Sequence, residues 1–240
     1  MKKITSLIVI MSAFFASCEA DSTANVSSIT NYALIELNGN NPMFVQQGTS
    51  YSDPGVTATE NGTPIEATIT GFGNYRGTTT IDTNKSDHYS QTYTATNKDG
   101  FEANTSRDVY VYKNGDLVNS IEGIYTSTVV RNGSSAAQYT NMKYVLIWKN
   151  TDGTYQISDG IGGYYNLGRG YGFGYIAGPV TITANDIPNN SFTVSPFIVN
   201  GFGGDATMTS FTVNPSTKKI TFSTSWLTYT FEVTLTQVQP

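Results

Sequence analysis

Residues 158–178 read SDGIGGYYNLGRGYGFGYIAG, the most unusual stretch of the chain. Gly168, Gly170, Gly172 and Gly174 alternate with Tyr171, Phe173 and Tyr175, and the pair Tyr164-Tyr165 precedes them. Two chemistries could use such residues. Glycine-freed backbone N–H groups can cradle phosphate, but that needs a strand before the loop and a helix after it, and no helix signal follows. Aromatic rings offer flat apolar faces and phenolic hydrogen bonds, which suit a sugar ring. The spacing of two predicts a strand, with Tyr171, Phe173 and Tyr175 on one face. Glycines on the other face would let a backbone or a ligand come close. The same residues also have a structural use, with rings lining a barrel interior and glycines permitting tight curvature. The candidate ligand-binding residues are Tyr164, Tyr165, Tyr171, Phe173, Tyr175 and Trp148, with Trp226 and Tyr155 as further rings.

Catalytic chemistry has little to work with. The single histidine, His88, stands beside a predicted turn and reads as a surface residue. The serine elbow G-x-S-x-G is absent. A zinc site needs several His or Cys ligands, and the chain has one of each. Asp152, Asp159, Asp186 and Asp205 could pair as in a glycosidase. Each lies near a turn, however, where Asp is common for backbone reasons. No EF-hand spacing offers a calcium loop. The expectation is a protein that is not an enzyme and uses no metal or cofactor.

The elements that must hold the rings are strands. Turn pairs recur at Asn61-Gly62, Asp99-Gly100, Asn114-Gly115, Asn132-Gly133, Asp152-Gly153, Asp159-Gly160 and Asn200-Gly201, with short alternating runs between them. In TYTATNKDGFEANTSRDVYVY, Tyr89, Tyr93 and Ala95 share one face while Thr92, Thr94 and Thr96 share the other. Near the end, Tyr229, Phe231, Val233 and Leu235 alternate with Thr230, Glu232, Thr234 and Thr236, as on a half-buried antiparallel strand. SFTVNPSTKKITFST reads as a hairpin, and the more continuously apolar MKYVLIWKN reads as a central strand. Charged residues make up only 13% of the chain and aromatics 12%, which argues against disorder. The net charge of −5 comes with no Lys/Arg cluster, which argues against nucleic acid as a partner.

The lone cysteine, Cys18, ends a short apolar run that begins Met1-Lys2-Lys3 and exits through Ala16-Ser17. That is the form of a secretory signal, and it falls short of the roughly 20 residues a membrane span needs. With its cysteine directly after Ala16-Ser17, the stretch resembles the lipobox of bacterial lipoproteins, although Phe15 stands where leucine is usual. The resemblance implies a signal peptide over 1–17, a diacylglycerol on Cys18, and a Ser/Thr/Asn-rich tether over 18–30. Glu19-Ala20-Asp21 resembles the acidic signal that sends lipoproteins of gut Gram-negative anaerobes to the outer face of the outer membrane.

Residues 31–113 suit an immunoglobulin-like sandwich without the antibody disulfide, so inter-sheet apolar burial is expected to stabilise it. GTSYSDPGVTATENG and IDTNKSDHYSQTYTATNKDGFEANTSRDVYV resemble the bacterial Ig-like repeats of surface lipoproteins and adhesins. The shared pattern is Gly48, Tyr51, Asp53-Pro54-Gly55, Ala58, Asp82-Thr83, Tyr89, Tyr93, Gly100, Arg107 and Val109-Tyr110-Val111. Asp87 stands where the repeats usually have glycine. Residues 120–240 predict about eight strands, an antiparallel barrel or a two-sheet sandwich. This block resembles the C-terminal module that follows such repeats in surface lipoproteins, often within polysaccharide-utilisation systems. The whole chain is therefore expected to be all-β and lipid-anchored at the outer membrane. Its C-terminal domain would bind polysaccharide, with the Ig-like domain as spacer. The alternative is a structural or partner-binding part of an outer-membrane transporter complex.

Overall fold

The computed structural model describes residues 29–240. The leader, Cys18 and most of the tether lie outside the described residues. Strands β1 (Ala33–Leu37), β3 (Val56–Glu60) and β4 (Thr63–Pro64) form one sheet of the Ig-like sandwich. Strands β2 (Met43–Gln46), β5 (Ala67–Gly73), β6 (Asp87–Thr96) and β7 (Glu102–Tyr112) form the other, in the order β2-β7-β6-β5. Tyr89, Tyr93 and Ala95 are buried on one face of β6, as their alternation requires. Apolar burial is not the sandwich's only support. The guanidinium of buried Arg107 donates to the carbonyls of Asn38, Asn40 and Gly55 and, through Nε, to the Tyr93 hydroxyl. Tyr93 donates in turn to Asp53 at 2.6 Å. Tyr93, Arg107, Asp53 and Gly55 of the shared Ig-like pattern thus meet in one satisfied polar network, and removing a member would leave buried groups unpaired.

The second unit comprises β8 (Gly123–Arg131), β9 (Met142–Lys149), β10 (Tyr155–Ile157), β11 (Val180–Asp186), β12 (Ser191–Val194), β13 (Phe197–Ile198), β14 (Asp205–Asn214), β15 (Lys219–Trp226) and β16 (Tyr229–Gln237). Each strand pairs antiparallel with the next except β12 with β13, and β16 returns to pair with β8. The nine strands form one sheet curled into a half-barrel, open between β12 and β13. Pro196 lies in the connection of those two strands and has no N–H to offer a ladder. Phe192 leans across the opening to Phe211, with 4.8 Å between ring centroids. The hairpin read from SFTVNPSTKKITFST is β14–β15, turned by Pro215–Thr217 with the Asn214 side chain accepting from the Thr217 N–H.

Strand β9 is apolar from Tyr144 to Trp148 because both its faces are covered there. Val145 and Ile147 enter the barrel core, while Leu146 and Trp148 face the Ig-like unit. The connecting residues NGDLVN are also built in. Leu117, only 1% exposed, belongs to the barrel core. The Asp116 carboxylate accepts from the N–H groups of Val118, Asn119 and Ser120.

Candidate functional site at the barrel mouth

An up-and-down meander places alternate connections at the same end of a barrel. Residues 132–141, 158–179, 199–204 and 227–228 therefore share one mouth. The glycine-aromatic stretch is not the strand its period of two predicts. It begins as a plug inside the barrel, continues as a π turn over Tyr164–Gly168, and ends in a 3-10 turn over Phe173–Tyr175. The glycines explain the departure. Gly163, Gly170 and Gly172 adopt φ of 79°, 68° and 82°, a region that breaks a pleated strand. Gly160 and Gly162 are plug residues. A Cβ on Gly162 would meet Val233 at 2.6 Å, and one on Gly160 would meet Phe197 at 2.5 Å.

The plug is hydrogen-bonded to the wall. Ser127 Oγ donates to the Gly162 carbonyl at 2.7 Å, and Thr224 Oγ1 donates to that of Gly160 at 2.6 Å. The buried Asp159 carboxylate accepts from the N–H groups of Ile161 and Ala177. Burial outweighs these bonds and pushes the Asp159 carboxyl up to about 6.

Above the plug the rings form a continuous cluster. Tyr165 lies 4.7 Å from Phe202 and 6.0 Å from Trp226, and stacks on Tyr171 at 6.2 Å with 14° between planes. Tyr175 lies 5.2 Å from Tyr171 and 5.1 Å from Phe202. Tyr165 and Trp226 are buried, whereas Tyr171 and Phe202 are 48% and 49% exposed. Buried rings thus form the base and exposed rings the surface. Beside them, Tyr164 stacks on Tyr139 at 4.1 Å. Arg131 lies 5.1 Å from the Tyr164 ring and 4.6 Å from the Tyr229 ring. Arg131, Tyr139 and Tyr164 border a recess of about 200 Å³. Burial alone would push the Tyr164 phenol up, but the Tyr139 hydroxyl and the Arg169 and Arg131 guanidiniums outweigh it and hold it below the usual range.

Two candidate residues lie elsewhere. Phe173 points away from Tyr171 and Tyr175, to within 5.6 Å of Tyr75 and 5.1 Å of His88 in the Ig-like unit. Trp148 is 1% exposed and stacks on Tyr75 at 5.9 Å, so it is part of the joint between the units and not an open platform. His88 is also a joint residue rather than a surface one. It is buried, stacks on Tyr110 at 4.3 Å, and its Nε2 lies 3.0 Å from Asp108. Asp87, the departure from the Ig-like pattern, explains the loop that reaches this joint. Its carboxylate accepts from the N–H groups of Tyr75 and Arg76 at 3.0 and 3.1 Å, which fixes both side chains beside Trp148. Burial pushes the Asp87 carboxyl up against these hydrogen bonds.

A family model for a C-terminal domain matches residues 114–237, more than half of the sequence. The chain belongs to that family. A model described as a bacterial surface protein Ig-like domain matches residues 35–111. Among solved structures, the chain is similar to the lipoprotein BT2262 from Bacteroides thetaiotaomicron. The two are 26% identical with a TM-score of 0.66, over 86% of this chain and 100% of that one. No curated protein matches the chain.

Sequence reasoning missed Phe202. It stands in NGFGGD with no alternating run around it, and its loop is held at the mouth by long-range contacts, the pairing of Ala177 with Val199 and the bond from Trp226 Nε1 to the Gly203 carbonyl. The signal available was its setting among glycines. Gly201 sits so close to Tyr175 that a Cβ would lie 2.5 Å from the ring. Among the described residues, no group of three or more His, Cys, Asp or Glu side chains is placed to hold a metal ion.

Proposed function

We propose that the protein is a non-catalytic surface lipoprotein that binds glycan at the barrel mouth. In this reading Cys18 carries the acyl anchor in the outer membrane and the Ig-like unit sets the mouth away from it. The observation that carries the reading is the pair Tyr171 and Phe202, about half exposed on a base of buried Tyr165 and Trp226. Rings held by other rings lose little freedom when a sugar stacks on them, and pre-organisation of this kind raises affinity. The phenol of Tyr171 adds a donor and acceptor at the rim. The likeness to a lipoprotein of known structure supports the anchor.

The test is binding of Tyr171→Ala and Phe202→Ala across a polysaccharide panel. Loss of one stacking ring is expected to cost about 1–2 kcal/mol, a fall of roughly tenfold or more. Binding by the parent should respond weakly to salt, because screening acts on charges. A parent that binds no polysaccharide would turn the exposed rings into a docking surface for a protein partner. The anchor is checked separately: Cys18→Ala should move the protein from the membrane fraction to the soluble one, and unchanged membrane retention would remove the lipid from the account.

A further inference from the structure

A second recess lies away from the mouth, between the Ig-like unit and the strand end at Trp148. It encloses about 410 Å³, within the usual range of small-ligand sites, roughly 300–1,000 Å³. Both units contribute cations to it: Arg76 and Lys85 from the Ig-like unit, and Lys149 from the end of β9. Arg76 lies over the Trp148 ring at 5.1 Å, and its Nε donates to the Ser86 carbonyl. Among the described residues no ion pair engages Arg76 or Lys149, whose Nζ lies 5.4 Å from the centre of the Tyr155 ring, while Lys85 pairs with half-buried Asp82 at 3.1 Å. The one carboxylate in the lining is Asp152, whose Oδ1 accepts both the N–H and the hydroxyl of Thr154. Three cations against one carboxylate is the reverse of the whole chain, which carries a net charge of −5.

A second observation concerns Trp148 itself. Its indole N–H is the one buried side-chain nitrogen among the described residues without a hydrogen-bond partner. Buried polar groups in folded proteins are nearly always paired, so an orphan donor calls for an explanation. Here it belongs to a residue that lines the recess, although the N–H itself is shut off from solvent.

We propose that this interdomain cleft binds an acidic sugar, one that carries a carboxylate or a sulfate ester. The anion is assigned from the guanidinium of Arg76, which no carboxylate among the described residues pairs, with exposed Lys149 also on the lining. A guanidinium is suited to such groups because its planar fork can donate two parallel hydrogen bonds. The sugar body rests on the glycan reading above, and the amide of Asn150 on the wall, whose Nδ2 already donates to Thr154 Oγ1 at 3.0 Å, keeps its carbonyl oxygen as an acceptor. Because the walls belong to both units, an occupant would also clamp one unit to the other.

The experiment is calorimetric titration of the full chain in detergent with trigalacturonate, a heparin-derived tetrasaccharide, neutral galactotriose and inorganic sulfate. The first two distinguish carboxylate from sulfate. At least one should bind about tenfold or more tighter than galactotriose, and its affinity should fall as salt is raised. Lys149→Glu should lower that affinity by about tenfold or more while thermal unfolding stays unchanged, since Lys149 is exposed. Arg76→Gln should do the same, and Tyr171→Ala should leave acidic binding intact. Equal affinity for galactotriose, or acidic binding indifferent to Lys149→Glu, would overturn the proposal. Binding of inorganic sulfate alone would overturn the sugar. Neutral glycan binding at the mouth with no acidic binding would sink the cleft and leave the mouth standing. Cleft-dependent binding untouched by the mouth variants, with no neutral glycan bound, would do the opposite.

Discussion

The barrel mouth and the joint between the two units are both made of aromatic rings, and one short loop contributes to both. Phe173 goes to the joint, where it meets Tyr75 and His88. Tyr171 and Tyr175 go to the mouth, where they meet Phe202. The joint is covered from both sides. Trp148 has barrel strand behind it and the Tyr75-Arg76 loop in front. The mouth is covered from one side only, so its upper rings stay in solvent. Similar residue types therefore serve as core in one place and as surface in the other. The lesson is that an aromatic ring becomes a platform when only one of its faces has a protein partner, and the number of rings nearby does not decide it.

Truncation at the joint should have the largest effect. Trp148→Ala removes a buried ring and strips the contact from Tyr75 and Arg76, so it should destabilise the protein by about 3–5 kcal/mol, measured by urea unfolding. A cost under about 1 kcal/mol would mean that the joint is a surface contact and the contrast with the mouth is false.

Mouth truncations should cost far less. Tyr171→Ala and Phe202→Ala remove half-exposed rings, and each should change stability by no more than about 0.5–1 kcal/mol. If either approached the cost of Trp148→Ala, the mouth would be core as well and the glycan reading would lose its base.

A third expected effect is a change in pH profile. Asp159 holds the plug from which the loop sets out for both regions. Its carboxyl is raised from 3.8 to about 6 by burial, so the folded state favours the protonated form. That contribution is fully present below pH 3.8 and is lost as the pH rises through about 6. The difference in unfolding free energy between wild type and Asp159→Asn should therefore change with pH across that window and be flat above it. A constant difference at every pH would show that Asp159 titrates normally and the plug is wetter than its burial indicates.

Much of the fold was legible in the sequence because strand faces are a local matter. A side chain on a strand points opposite to its neighbours whatever the rest of the chain does. Phe231, Val233 and Leu235 could therefore be placed inside, and Tyr89 with Tyr93, before any contact was known. The turn pairs marked where strands end for the same local reason. The glycine-aromatic stretch defeated this logic. Its period of two is that of a strand, but Gly162, Gly163, Gly170 and Gly172 take positive φ values, and an alternating pattern does not record the sign of φ. The exposure of each ring was beyond local reading altogether. It depends on residues far along the chain: Tyr75 covers Trp148, and Phe202 covers Tyr165. The sequence by itself determined an all-β chain with inward and outward faces. Tertiary structure alone decided which rings meet solvent and where Arg76 and Lys149 converge, because burial is set by what packs from the other side, and that partner is a matter of topology.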